Sequence, residues 1–257
     1  MSVKPKGDFL FICGCARSGT SITTELLRRH SKIAMGRERY NSLFKANNND
    51  FIPALFNKQR FCKELIDDDS HHQRLGDYYD KVFMLWNSHR YIGDKIPSLF
   101  KQYDYLVDTF AKPKILFLLR DIHDVSQSWE RRRINSLNNN DPWPHDKGFL
   151  AAITEWNMSL KNTFLAVSKH PDSILIVSYA KLFSDIEQLE KIFAFLDLDI
   201  EDETMAFWDE NTLKKQMIEQ KKVSIMTDDI RHSIQMDADF ETYQILQTME
   251  EEYYVKY

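Results

Sequence analysis

Three short apolar runs punctuate the chain, and longer stretches of helical spacing lie between and after them. Residues 9–13 (FLFIC), 114–119 (KILFLL) and 173–178 (SILIVS) are almost unbroken in hydrophobic side chains. Runs of that length and continuity suit strands covered on both faces of a parallel sheet. Behind the first run, Ile22, Leu26 and Leu27 predict the buried face of a helix that starts near Ser18 or Gly19. Between the second and third, Phe149, Ile153, Trp156, Leu160, Phe164 and Val167 recur at helical spacing. Leu189, Ile192, Phe193 and Leu196 predict another helix, and Phe240, Tyr243, Leu246 and Tyr253 predict the last. Strands alternating with helices imply βαβ units, so the expected architecture is an α/β three-layer sandwich around a central parallel sheet of about five strands. Polar stretches at 47–50 and 135–146 read as long surface loops. With no internal repeat, the 257 residues are expected to form a single domain, 1–257.

The junction behind the first strand carries the first chemistry. An apolar run, a glycine-bounded loop and an amphipathic pattern follow one another, which is the P-loop NTPase-like layout of strand, phosphate cradle and helix N-terminus. Against G-x-x-x-x-G-K-[ST], Gly14, Gly19 and Ser21 are in place, but Thr20 stands where the lysine of a kinase would be. The loop's positive charge is Arg17 instead. A second cluster follows the KILFLL strand. Arg120 comes directly after it, where open α/β sheets bind ligands, and Ser128 lies eight residues on, in the next helix. A guanidinium fork and a hydroxyl at such a junction suit a phosphate.

Together these residues resemble the sulfotransferase family that uses 3′-phosphoadenylyl sulfate (PAPS). Residues 15–21, CARSGTS, are similar to the family loop that holds the 5′-phosphosulfate. Residues 120–128, RDIHDVSQS, match the first and last positions of its 3′-phosphate motif, with Ile122 in place of a usual Pro and His123 in place of a frequent Arg. Residues 93–97, GDKIP, resemble G-D-K-T-P, and 174–198 resemble a further family region in which Ala180 and Lys181 replace an acidic pair. The resemblance implies sulfuryl transfer from PAPS to a hydroxyl, PAP as product and no required metal. It implies donor binding by Arg17, Ser18, Gly19, Thr20, Ser21, Arg120, Ser128 and Tyr179. It also implies Arg17 and Lys95 as charge-stabilising groups, the latter in a fixed loop site just before Pro97, and Glu38 as general base, by analogy with a Glu that follows the loop helix in bacterial and tyrosylprotein members. His89 is an alternative base, as cytosolic members use a His. Lys222 and Ser224, in the segment 220–225, stand where the family supplies a basic loop over the nucleotide. The rival readings are a P-loop small-molecule kinase, disfavoured by Thr20, and a non-catalytic nucleotide-binding protein on the same fold.

Composition narrows the partners. At 43% hydrophobic and 28% charged the chain is ordinary globular material, and a net charge of −5 gives no footprint for nucleic acid. Seventeen Phe and eleven Tyr predict a well-filled core with aromatic-lined clefts. Carbohydrate or glycolipid acceptors would suit the Asn and Trp of the segments 40–50 and 135–146. Arg131, Arg132 and Arg133 could draw anions to the cleft, whereas His71 and His72 read as solvated. Three cysteines cannot all pair, and strand alternation is taken to aim Cys13 and Cys15 at opposite faces, against a disulfide or zinc site. Residues 1–8 carry no signal pattern and nothing reaches membrane-span length, so a cytoplasmic setting is expected.

Overall fold

A computed structural model describes residues 7–46, 48–66, 76–139, 143–219 and 225–252. Five strands form the sheet: β1 (Asp8–Cys13), β2 (Ile33–Arg37), β3 (Tyr91–Lys95), β4 (Lys114–Leu119) and β5 (Ile174–Ser178). Their order is β2-β3-β1-β4-β5, and every neighbouring pair is parallel. The α/β architecture with about five parallel strands is therefore as expected.

Alternation along the strands sorts the core into two layers. Phe9, Phe11, Ile115, Phe117, Ile174 and Ile176 face one layer, which is covered by the helices Tyr103–Thr109, Ile122–Asn139, Phe149–Lys169 and Phe240–Glu252. Leu10, Ile12, Leu116, Leu118, Leu175 and Val177 face the other, under Thr20–Leu27, Ile186–Phe195 and Asp202–Glu219. The first layer is the aromatic one. Phe9, Phe11, Phe51, Phe56 and Phe110 interlock largely edge to face, with Phe9 and Phe11 each 4.8 Å from Phe110. Ile230, Ile234 and Leu246 join this layer, so the C-terminal helices share the sheet's core.

β1 and β4 are neighbours, yet the helix after β1 packs on one face and the helix after β4 on the other. That divergence opens a crevice at the carboxyl ends of the strands, where ligands bind in such sheets.

Three expectations are corrected. Residues 135–139 continue the helix Ile122–Asn139 instead of opening a loop. Lys95 ends a strand and does not sit in a loop. In the segment 40–50, Tyr40 and Phe44 are buried in the aromatic layer, while Lys45, Ala46, Asn49 and Asp50 are exposed. Cys13, which ends β1, and Cys15, in the turn beyond it, lie in the same layer; alternation would in any case put residues two apart on one face and not on opposite ones. Both remain free thiols, and burial pushes Cys13 up to about 12. His71, His72, Lys222, Ser224 and Tyr253 lie outside the described residues, as do 1–6.

Candidate active site

The β1 loop turns sharply into the first helix. Arg17 and Gly19 both have positive φ, 72° and 91°, and Gly19 caps Thr20–Leu27 with no side-chain bond. The free amides of that helix end are left for an anion. Glycine is required at 19 for a second reason: a Cβ there would lie 2.1 Å from the Tyr179 ring.

The loop is pinned from several elements. The Gly14 amide donates to the Pro97 carbonyl (3.1 Å) and the Ala16 amide to Glu155 Oε1 (2.9 Å). Trp129 Nε1 donates to the Ala16 carbonyl (2.8 Å), and Trp156 Nε1 to that of Arg120 (2.8 Å). Sequence reasoning missed these roles for Glu155, Trp129 and Trp156. Periodicity marks Trp156 as core without showing which backbone group its ring N–H meets.

On the β4–β5 side, two distant segments meet at Arg17. Its Nε donates to Ser128 Oγ (3.0 Å), and its carbonyl accepts from Arg120 Nη1 (2.8 Å). Leu119 pairs with Ser178 in the sheet register, so the next residues, Arg120 and Tyr179, emerge side by side. The guanidinium lies 4.3 Å over the Tyr179 ring, and Arg120 Nη2 is 3.4 Å from Asp124. Lys215 was not foreseen; its Nζ donates to the Ala180 carbonyl (2.6 Å) and adds a cation 5.8 Å from the same ring. Arg133 is paired with Glu130 (2.5 Å), and Arg132 lies over Trp143 at 5.6 Å.

On the β3–β2 side, Lys95 Nζ donates to Glu38 Oε1 (2.5 Å) and Ser21 Oγ (3.2 Å). The lysine side chain is 1% exposed and the glutamate 30%, so the pair sits at a boundary, cation inside and carboxylate outward. Burial pushes the Lys95 ammonium below the usual lysine range, opposed by Glu38. Burial also pushes the carboxyl of the adjacent Asp94 up to about 7. Asp94 was passed over in the sequence. His89 precedes the amino end of β3, away from the carboxyl end where Lys95 sits, so the structure does not bring it to these groups.

The arrangement can take an anion. Ser18 Oγ and Arg120 Nε are shut from solvent with no hydrogen-bond partner among the described residues. Leaving such donors unmet costs about 1–3 kcal/mol each, which an anion or a shifted loop would recover. Among the described residues no group of three or more His, Cys, Asp or Glu is placed to hold a metal ion. Nor is any described helix long and apolar enough to cross a membrane.

A sequence model described as "Sulfotransferase family" matches residues 9–202. An uncharacterized protein of Aquifex aeolicus (strain VF5) is 24% identical over 219 residues, covering 77% of this chain and 26% of that protein. The chain thus spans about a quarter of the length of this curated relative. A sulfotransferase from Alicyclobacillus acidocaldarius superimposes with a TM-score of 0.58 at 15% identity, covering 95% of this chain and 96% of that one. The sulfotransferase domain from the curacin biosynthetic pathway gives 0.52 at 16%, covering 91% and 98%. Mouse sulfotransferase SULT7A1 complexed with PAP gives 0.52 at 14%, covering 95% and 88%. At such identities the structural likeness speaks for the fold.

Proposed function

The chain belongs to the sulfotransferase family, and from that premise we propose that residues 1–257 form one sulfotransferase domain that moves a sulfuryl group from PAPS to a hydroxyl acceptor and releases PAP. The observation that carries this reading is the meeting at Arg17. Ser128 and Arg120, more than a hundred residues along the chain, bond its side chain and its carbonyl. In this reading Arg120, Ser128 and Tyr179 bind the 3′-phosphate end of the nucleotide. Ser18, Gly19, Thr20 and Ser21, with the amides at the helix start, bind the 5′ end beside Arg17.

When bound, PAPS supplies an activated sulfuryl group whose loose, in-line transfer spreads charge over peripheral oxygens. Arg17 and the loop donors face that charge already oriented, so no solvent must reorganise around it. Lys95 offers its ammonium to the bridging oxygen. Glu38 takes the acceptor proton; its carboxylate is half-open to the cleft, and its other side is held by Lys95. With one negative charge on the transferred group, the reading needs no bridging metal.

Calorimetry of PAP with a chelator present, beside ATP with Mg²⁺, tests it in wild type and Arg120→Ala. Micromolar PAP binding without metal that collapses in the variant is the expected result. Tight ATP–Mg²⁺ binding with no response to PAP would leave a P-loop kinase in its place.

A further inference from the structure

Asp94 is fully buried beside the site, and neither donor binding nor proton transfer uses it. Consecutive strand residues point to opposite faces, so β3 sends Asp94 toward the aromatic layer, like Ile92, and Lys95 toward the first helix, like Tyr91. Both reach the same short turn. Lys95 Nζ takes the Glu38 side chain, and the Lys95 carbonyl accepts the Glu38 amide (2.8 Å). From the other face, the Asp94 carboxylate accepts the next two amides, Arg39 N (3.1 Å on Oδ1) and Tyr40 N (2.8 Å on Oδ2). The turn needs this hold because Glu38 sits at φ 60°, a left-handed conformation that a glutamate adopts only where its surroundings impose it. Gly36, across the register from Asp94, keeps room for the carboxylate: a Cβ there would lie 2.7 Å from Asp94 Oδ1.

We propose that Asp94 is a positioning residue for the transfer, its carboxylate clamping the amides of Arg39 and Tyr40 so that the strained turn aims Glu38 at Lys95 and the cleft. The inference rests on Glu38 as the base, but its geometry can be tested without an acceptor. The probe is the carboxyl-carbon resonance of Glu38 in protein labelled with ¹³C-glutamate, assigned by its loss in Glu38→Gln. Lys95→Met supplies the reference position of a Glu38 released from its partner.

In Asp94→Asn, one amide of the turn meets an –NH₂ instead of an acceptor. The Glu38 resonance is expected to move from its wild-type position to the Lys95→Met position, with PAP affinity unchanged within about twofold. Gly36→Ala, which crowds the same carboxylate from β2, should do the same. A folded Asp94→Asn or Gly36→Ala with the resonance at its wild-type position would overturn the proposal. So would loss of PAP binding together with the shift, or failure of both variants to fold, since either assigns Asp94 to holding the whole structure. If wild type fails to bind PAP while the resonance moves as expected, the donor reading falls and the hold of Asp94 on Glu38 stands.

Discussion

The two sides of the β1 loop are built on opposite plans. On the β4–β5 side Arg17 is exposed, Arg120 keeps a buried Nε without a partner among the described residues, and Tyr179 is half-buried. On the β3–β2 side Lys95 is buried and engaged at once by Glu38 and Ser21, while Asp94 holds the neighbouring turn. The first side has donors to spare and is completed by a ligand. The second is satisfied internally before any ligand arrives. This is the division a transferase needs: affinity for an anionic donor comes from unmet donors, and rate comes from groups that do not have to move.

The sharpest way to break the comparison is to remove the base. Glu38→Gln keeps the size of the side chain and an oxygen for Lys95 but has no carboxylate to take a proton. Sulfuryl transfer from radiolabelled PAPS should fall roughly 10²–10⁴-fold, with PAP affinity by calorimetry unchanged. Retained turnover would leave the β3–β2 side without its assigned chemistry. Stability against pH probes the same side. Burial raises Asp94 from 3.8 to about 7 in the folded protein, so between those values the folded chain keeps a proton that the unfolded chain has lost. The contribution of Asp94 to stability must then fall as pH rises through that window, by at most about 1.4 kcal/mol per unit, and level off above it. Urea titrations at several pH values should show this slope in the difference between wild type and Asp94→Asn. On the β4–β5 side, Arg120→Ala removes charge-assisted bonds worth about 1.5–3 kcal/mol, a roughly ten- to hundredfold loss of PAP affinity. Turnover at saturating donor should change far less.

The two sides also differ in how far they could be read from the sequence. β1, β4 and β5 are continuous apolar runs, and Arg120 and Ser128 follow from position behind β4, while Tyr179 came with the family resemblance. β2 (IAMGR) and β3 (YIGDK) escape the same reading because glycine and charge fill their carboxyl ends. That is why Lys95 was expected in a loop. The family resemblance still singled out Glu38 and Lys95, and the structure brings them together, though nothing local says that a carboxylate and a lysine 57 residues apart will meet. Asp94 and Glu155 are less legible still. Each acts by accepting backbone amides, 54 and 55 residues away for the first and 139 for the second, and a backbone amide carries no sequence signal. The Asn-rich stretch after residue 135 failed for a simpler reason. Low helix propensity in Asn is a fraction of a kcal/mol per residue, and the packed helix before it carries on through residue 139.

The smallest expected effect sharpens the comparison most. Tyr179 offers its ring face to the Arg120 guanidinium at 4.3 Å and also walls the loop at Gly19. Tyr179→Leu removes a cation–π contact of about 0.5–1 kcal/mol, so PAP should bind roughly two- to fivefold more weakly. Tyr179→Phe, which keeps the ring, should stay close to wild type. Gly19→Ala is harmed twice, by the ring contact at 2.1 Å and by its φ of 91°. Adding Tyr179→Leu to it can relieve the contact but not the backbone strain, so donor affinity should recover only in part. Through the Tyr179 variants the transfer rate at saturating PAPS should hold, because Lys95 itself bonds both Glu38 and Ser21. A Tyr179→Leu variant that loses rate instead of affinity would mean that the loop passes strain from one side to the other, and the division between them would fail.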